Sequence, residues 1–532
     1  MVTGADLCLY YGLYKGARAL GGLMLGIFGK KSDHPLADLK SAQQLLEDVP
    51  KSDALNALHE LTGWIETLIE QAADLRLEHE FAVLRMFDEA AQLHVRKLLR
   101  DYFTVQPPSK FQEGRLWVAL NNYYKSSELA YHDVLVRYRD GKRGTSVIRP
   151  EQALLVARGI AARTGRLTLS AARYAMVEQT LWNHLADFYS HAETSGSLND
   201  ALVLYPGSQG GTSVVQEFAV LLTWYGVSAG GQSPVQEHIT ERLVAHVGKN
   251  LTVSNKIGEE SMFVFDMAQP TPPMRSALDG TVHPALRFVG AGDVSAQLNG
   301  LIRNLEKGIV PDSLNLYGAK YDSELVRDVA QRLKQSFTLP LPARRNPRRK
   351  INVNLHVANG FSKMLEQTDV GLNFSADETD AWDVEDISAT GFRCVVPLAR
   401  ADGIKIGTLI GSRPEGVSHW GAGVVRRLRR DEQGNLHIGV EVLSPRIIGV
   451  PLVARSASGS ESYLVGLYLN RPNDTSGETW LLVRTDTFST SRSLNMELNG
   501  KDYLLLPLAL AEAGDDYDLA RYRSMEQDSS AE

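Results

Sequence analysis

The residues best equipped for chemistry fall into two short clusters. Ala343-Arg-Arg-Asn-Pro-Arg-Arg-Lys350 gathers four arginines and a lysine around one proline, and 38 positions beyond Arg348 stands Asp386-Ile-Ser-Ala-Thr-Gly391. Guanidinium groups make paired hydrogen bonds to phosphate oxygens and to the O6/N7 edge of guanine, and they stack flat on purine rings, which lysine does not do. The proline keeps the first cluster from continuing as a regular helix, so it reads as a cationic arm. In the second cluster, Asp386 can accept from the N1–H and N2–H₂ donors of a guanine. Ser388, two residues on, shares its strand face and reaches the same ligand. Gly391 permits a close backbone approach or a positive φ at the turn that ends the strand. Together the clusters complement a molecule built of guanines and phosphates.

In this order, the two clusters resemble the PilZ family. Its hallmark is an RxxxR segment at the N-terminal edge of a β-barrel followed by [D/N]xSxxG on the barrel. Arg344 and Arg348 match the first pattern, and Asp386, Ser388 and Gly391 match the second. Trp420-Gly-Ala-Gly-Val-Val-Arg-Arg-Leu and His437-Ile-Gly-Val-Glu-Val look like later strands of such a barrel. The resemblance covers about a fifth of the chain. It implies a bacterial, cytoplasmic receptor for cyclic di-GMP that is not an enzyme and needs no cofactor. The arginine arm would close over the nucleotide, with Arg345 and Arg349 as auxiliary contacts. Binding would then pin the arm to the barrel and reorient the domains. Proteins of this kind are linked to motility, surface attachment and biofilm polysaccharide. The alternative is a protein–protein adaptor whose PilZ-like barrel takes no nucleotide. One departure is the long connection Gly360–Trp382, read as an inserted loop, whose acidic run Asp377, Glu378, Asp380 and Asp383 would repel a dianion if folded onto the site.

Other chemistries find little support. Gly29-Lys-Lys-Ser32 lacks the earlier glycine of a phosphate loop, Tyr205-Pro-Gly-Ser-Gln-Gly-Gly-Thr lacks a lysine, and Gly290-Ala-Gly-Asp-Val-Ser lacks the third glycine of a dinucleotide fingerprint. These read as turns and helix starts. The histidines show no HExxH pairing; His238 with Glu241, and His184 with His191, share helix faces without a third ligand, so no metal site is expected. The basic run Arg426, Arg427, Arg429 and Arg430 reads as a solvated face. Tyr123, Tyr124, Tyr131, Tyr138, Tyr174 and Trp182 read as core, or less readily as the lining of a groove for an unidentified protein partner.

The elements that must position these residues follow from periodicity. From about Pro35 to Gly248 apolar residues recur every three to four positions, with Ser52 or Asp53 as a helix cap and Phe81, Leu84, Phe87, Ala91, Val95 and Leu98 on one stripe. Helical stretches are expected over 117–138, 150–162, 167–191, 214–224 and 235–247, divided by polar, glycine-containing breaks. After Leu339-Pro-Leu-Pro-Ala343 the period falls to 2, with strands expected at 351–357, 392–396, 404–410, 422–428 and 436–442. A second β module follows, its strands at 494–498 and 503–506 joined by the two-residue turn Asn499-Gly500. The fold class is therefore multidomain α+β: a mostly α-helical N-terminal region, then an antiparallel PilZ-like β-barrel and a second C-terminal β module. The expected division is 24–249 helical, 250–340 a mixed connecting subdomain, 341–450 the barrel, 451–523 the second β module and 524–532 a disordered tail. Met24 opens a phrase that reads as a true start, which makes 1–23 an over-extended N-terminus. The rival reading is a weak membrane-surface anchor at the apolar run 19–28, which is too short to span a bilayer, so no integral span is expected.

Charge agrees with this division of labour. The net charge of −7 argues against a general DNA binder. Residues 341–450 nevertheless hold 15 Lys and Arg against 13 Asp and Glu, a net of +2 that leaves −9 elsewhere, so an anion is drawn to the barrel. Two cysteines, Cys8 and Cys394, supply neither a disulfide framework nor a thiolate cage, consistent with a reducing compartment.

Overall fold

A computed structural model describes residues 34–527 except 107, 208–209, 229, 277–282, 338–346, 369–379, 456–460 and 472–476. Two compact units are distinguished, Met1–Asp48 and Val49–Glu532. In the first, His34 Nδ1 accepts from the Leu36 amide at 3.2 Å and opens a 3₁₀ turn over Pro35–Ala37, followed by helix α1 (Leu39–Asp48).

The second unit opens with helices that obey the apolar spacing. Asp53 caps α2 (Ala54–Gln71), accepting from the amides of Leu55 and Asn56 at 3.1 and 3.2 Å. Helix α3 (Leu77–Tyr102) buries the whole expected stripe from Phe81 to Leu98. Then come α4 (Lys110–Arg139), α5 (Thr145–Ile148), α6 (Gln152–Ala172), α7 (Gln179–Ser195), α8 (Val214–Ser228) and α9 (Pro234–Val247). The break expected between residues 162 and 167 is absent, and α6 runs through it. A Cβ on Gly165 would lie 2.2 Å from the Tyr124 ring, so this glycine is a packing notch rather than a stop. The chain turns instead after Ala172, where Tyr174 takes a left-handed φ of 55°. Tyr123, Tyr131 and Trp182 are core, as expected, while Tyr124, Tyr138 and Tyr174 are half-buried; the hydroxyls of Tyr123 and Tyr131 donate to buried Asp88. Burial lifts the pKa of that carboxyl, against the opposing charge of Arg158.

Beyond the helices, strands β1 (Thr252–Ser254), β2 (Ser261–Asp266), β3 (Met274–Arg275) and β4 (Leu286–Gly290) form a sheet of order β1-β4-β2-β3, followed by α10 (Val294–Leu305) and α11 (Ser323–Ser336).

The chain then builds two closed antiparallel barrels. The first contains β5 (Arg349–Asn359), β6 (Asp380–Ser388), β7 (Gly391–Pro397), β8 (Leu409–Pro414), β9 (Gly421–Arg430) and β10 (Asn435–Ser444), in the order β10-β7-β6-β5-β8-β9. Its core comprises Leu355, Val357, Trp382, Val384, Phe392, Cys394, Val396, Ile410, Leu436, Ile438 and their neighbours. The strand expected over 404–410 begins only at Leu409, because Gly403 and Gly407 take φ values of +79° and +87° in the preceding turns.

The second barrel contains β11 (Arg446–Arg455), β12 (Glu461–Asn470), β13 (Glu478–Arg484), β14 (Leu494–Leu498), β15 (Lys501–Ala513) and β16 (Tyr517–Gln527), in the order β11-β12-β13-β16-β15-β14. Its β14–β15 hairpin pairs Leu498 with Lys501 across Asn499 and Gly500, both at positive φ as a two-residue turn requires. Residues 524–527, expected in a disordered tail, continue β16; 528–532 lie outside the described residues.

Only Pro445 separates β10 from β11, and the barrels share a third apolar cluster. It joins Ala358, Leu409, Trp420, Ala422 and Val424 of the first barrel to Ile447, Leu467, Leu469, Leu482, Tyr517 and Leu519 of the second. Helix α12 (Phe361–Glu366) adds buried Phe361 and Met364 to this joint. The segment 360–382, read as an inserted loop, is thus in part a helix wedged between barrels, and from Asp380 onward it is strand.

Candidate ligand-binding site on the first barrel

The two clusters singled out in the sequence meet at one end of β5 and β6. Arg344 and Arg345 lie outside the described residues. Arg348 immediately precedes β5, and its Nη1 stands 3.2 Å from Asp386 Oδ1. Arg349 and Lys350 open β5 opposite Ile387 and Asp386, exposed to solvent. The arm and the rim are therefore neighbours.

Asp386 follows the core residues Trp382 and Val384 on β6 and is buried like them, its side chain only 8% exposed. A buried carboxylate requires compensation, and two guanidinium groups supply it. Arg393 Nη2 lies 2.8 Å from Oδ2, while Arg348 approaches Oδ1. Among the described residues, Oδ1 is nevertheless a buried oxygen without an aligned hydrogen-bond donor. Ser388 closes the adjoining turn by donating from Oγ to the Gly391 carbonyl at 3.1 Å. Gly391 is required for close approach, since a Cβ there would lie 2.4 Å from the Val440 carbonyl oxygen.

Arg393 escaped the sequence reading, although a signal for it exists. Ser388 pairs with Gly391 across the two-residue turn Ala389-Thr390, so counting back along both strands sets Ile387 against Phe392 and Asp386 against Arg393. A register shift between Val384 and Asp386 then inserts Glu385 as a bulge residue. Glu385 and Asp386 thereby both face Arg393, whose Nε is 2.8 Å from Glu385 Oε2. The charges continue across the sheet: His437 on β10 approaches Glu385 at 3.3 Å and Asp431 at 3.2 Å. The amide of Asn435 holds the Asp431 carboxyl down at about 2. Beneath this row, burial pushes the Cys394 thiol up to about 12, helped by Asp383, Glu385 and Asp386, so the thiol stays protonated and inert.

Elsewhere on the barrel the electrostatics are less hospitable to an anion. An open recess of about 770 Å³ is lined by Val353, Asn354, Asp383, Glu415 and Gly416, with two carboxylates and no cation. Of the acidic run, Asp377 and Glu378 lie outside the described residues, and Asp380 and Asp383 are exposed on β6.

The second basic run meets expectation in part: Arg427 and Arg429 are exposed, whereas Arg426 is engaged and Arg430 half-buried. Arg426 bonds to Glu441 at 2.8 Å and reaches the second barrel, where Glu512 accepts at 2.7 and 2.5 Å. Burial disfavours its charge, but the bonds from Glu512 and Glu441 outweigh that and keep it protonated. Further along β9, the amide of Leu428 donates to the Gly230 carbonyl at 3.0 Å and that of Arg430 to the Tyr174 carbonyl at 2.7 Å. Only glycine fits at 230, where φ is +70° and a Cβ would lie 2.5 Å from the Leu428 oxygen. The end of β9 that extends past β8 thus docks the helical region. Alternation along a strand could not reveal this, because the partners lie some 200 residues upstream.

Among the described residues, no group of His, Cys, Asp and Glu side chains could hold a metal ion, and no helix is long and apolar enough to cross a membrane. His238 is a core residue stacked on Phe103 at 4.6 Å, its pKa lowered to about 3 by burial.

Residues 40–256 match a family model described as the N-terminal domain of the cyclic-di-GMP receptor FimW. The match covers two fifths of the chain, the helical region and the first strand after it, and stops before both barrels. It supports a cyclic di-GMP receptor family. No curated protein matches the chain.

Proposed function

We propose that the protein is a receptor for cyclic di-GMP that binds the nucleotide on its first, PilZ-like barrel and acts by binding rather than by catalysis. One observation carries the reading: Arg348 and Asp386, 38 positions apart in sequence, come within 3.2 Å at a rim where a buried carboxylate oxygen has no aligned donor among the described residues. A guanine edge offers the missing N–H groups, and a phosphate offers Arg348 a better acceptor than a shared carboxylate. The helical match adds support from a separate part of the chain, since its family is one of cyclic di-GMP receptors. In this reading Arg344, Arg345, Arg348 and Arg349 hold phosphates and purine faces, and Asp386 reads guanine. Ser388 and Gly391 shape the turn against which the nucleotide rests.

Topology suggests how binding is relayed. In the closed order β10-β7-β6-β5-β8-β9, the site strand β6 and the docking strand β9 are three strands apart in either direction, on opposite sides of the barrel. The relay therefore runs through the arm, because residues 337–348 join α11 to β5. A nucleotide that captures the arm shortens the tether between the helical half and the barrel, and this reorients them.

Calorimetric titration of the intact chain with cyclic di-GMP tests the reading. Saturable binding that is lost in Arg348→Ala while the melting temperature holds is the expected result, and undiminished affinity in that variant overturns it. A second reading, an adaptor whose helical region holds a protein partner, draws on a groove of about 610 Å³ between α2 and α4 where Phe111 and Val118 are exposed. It predicts no nucleotide uptake in the same titration.

A further inference from the structure

We propose that Arg393, which belongs to neither sequence motif, is the residue that makes Asp386 selective for guanine. The inference rests on the nucleotide reading above and assigns a specificity-determining role within it.

The bulge at Glu385 sets the geometry around Arg393. An ordinary antiparallel pairing sets one residue against one; here Glu385 and Asp386 together oppose Arg393. The planar guanidinium spans both carboxylates, with Nε at 2.8 Å from Glu385 and Nη2 at 2.8 Å from Asp386 Oδ2. A point charge such as an ammonium cannot make both contacts in one fixed plane. Glu385 is itself braced by His437 from the neighbouring strand, so Arg393 is held from the far side.

The consequence falls on the two oxygens of Asp386, which are not equivalent. Oδ2 lies 2.8 Å from Arg393 Nη2. Oδ1 faces Arg348, is buried and has no aligned hydrogen-bond donor among the described residues. When a phosphate draws Arg348 away, Oδ1 becomes an acceptor in a place largely closed to water, and an unfilled buried acceptor is costly. Guanine presents two adjacent donors, N1–H and N2–H₂, to such an oxygen. Hypoxanthine lacks the N2 amine, and adenine places a lone pair at N1. Arg393 also leaves a positive charge beside the carboxylate after Arg348 has moved, so exchange of partners does not strand a bare buried anion. Without Arg393 the carboxylate is free to turn toward the arginine arm and ceases to read the base.

The phosphate contacts of the arm do not depend on Arg393, so selectivity and affinity separate. The test is calorimetric titration of the intact chain with cyclic di-GMP and with cyclic di-IMP, its inosine counterpart, in wild type, Arg393→Met and Arg393→Lys, each checked by thermal melting. The wild type should prefer cyclic di-GMP by roughly tenfold or more, the range expected for a hydrogen bond to a charged group. Arg393→Met should bind both ligands weakly with a ratio near one, and Arg393→Lys should fall between. A loss of fold alone would lower both affinities together and leave the ratio intact. If Arg393→Met melts early, Arg393→Lys carries the test. An unchanged ratio in variants that still bind overturns the proposal and leaves the nucleotide reading standing. No binding of either ligand by the wild type overturns both.

Discussion

The two barrels are built to one plan and equipped differently. In each, the first strand pairs with the second and fourth, the third with the second and sixth, and the fifth with the fourth and sixth. Each also buries one aspartate among the described residues, Asp386 in the first and Asp518 in the second. Asp518 is satisfied from within, as its Oδ2 accepts from the amides of Thr487 and Phe488 at 3.1 and 3.0 Å. Among the described residues Asp386 is held by two arginines and keeps an oxygen without an aligned donor. The same contrast marks the barrel entrances: a cationic arm precedes β5, whereas Ser444 and Pro445 lead directly into β11. A shared topology thus carries a structural aspartate in one copy and a candidate ligand-reading aspartate in the other, and function must be read from the site.

Four outcomes would sharpen or break this comparison. The largest effect is expected at Asp386. Asp386→Ala should reduce cyclic di-GMP affinity by roughly a hundredfold or more in calorimetry, in the range of about 2–4 kcal/mol for a buried charge-assisted contact, with the melting profile little changed. Loss of fold with unchanged affinity per folded molecule would place Asp386 in the same class as Asp518. Next is Met364→Ala, which empties the centre of the joint. Met364 is fully buried, so a cost of about 2–5 kcal/mol is expected by chemical denaturation. If the joint makes the barrels one cooperative unit, both should unfold together at lower denaturant; a second, separate transition would show the barrels to be independent.

Third, Asp518→Ala should cost about 1–3 kcal/mol in stability, because two buried amides lose their acceptor, and should leave nucleotide affinity untouched. A drop in affinity would mean that the second barrel takes part in the site. Smallest is Arg426→Ala. Its ion pair with Glu512 crosses between barrels but is partly solvated, so a cost of about 1 kcal/mol or less is expected in the melt, and a double-mutant cycle with Glu512→Ala should attribute most of it to the pair.

These residues also mark how far the sequence could be read. Most strands of the first barrel are legible because one face of each is buried, which forces alternation; in the second barrel the legible part is the hairpin announced by Asn499-Gly500, whose two residues take positive φ. Asp386 and Arg348 were legible because motif spacing survives any loop between them. Arg393 could have been found by counting across the turn, but the bulge at Glu385 could not, since nothing in residue type signals an extra residue on one strand. Two errors share a cause. The helix 361–366 falls in a segment that reads as an inserted loop, and Arg426 in a run that reads as solvated, but the helix packs at the joint between the barrels and Arg426 pairs with Glu512 of the second, contacts that local periodicity does not encode. Gly165 misled in the opposite direction. A residue that usually ends a helix here makes room for the ring of Tyr124.

Hydrogen exchange on the intact chain, with and without cyclic di-GMP, tests the central claim most directly. The account predicts that nucleotide slows exchange in residues 344–350 and around the β6–β7 turn from Asp386 to Arg393, while the turns of the second barrel exchange as before. Protection that appears in the second barrel, or spares the arm and the β6–β7 turn altogether, would contradict it.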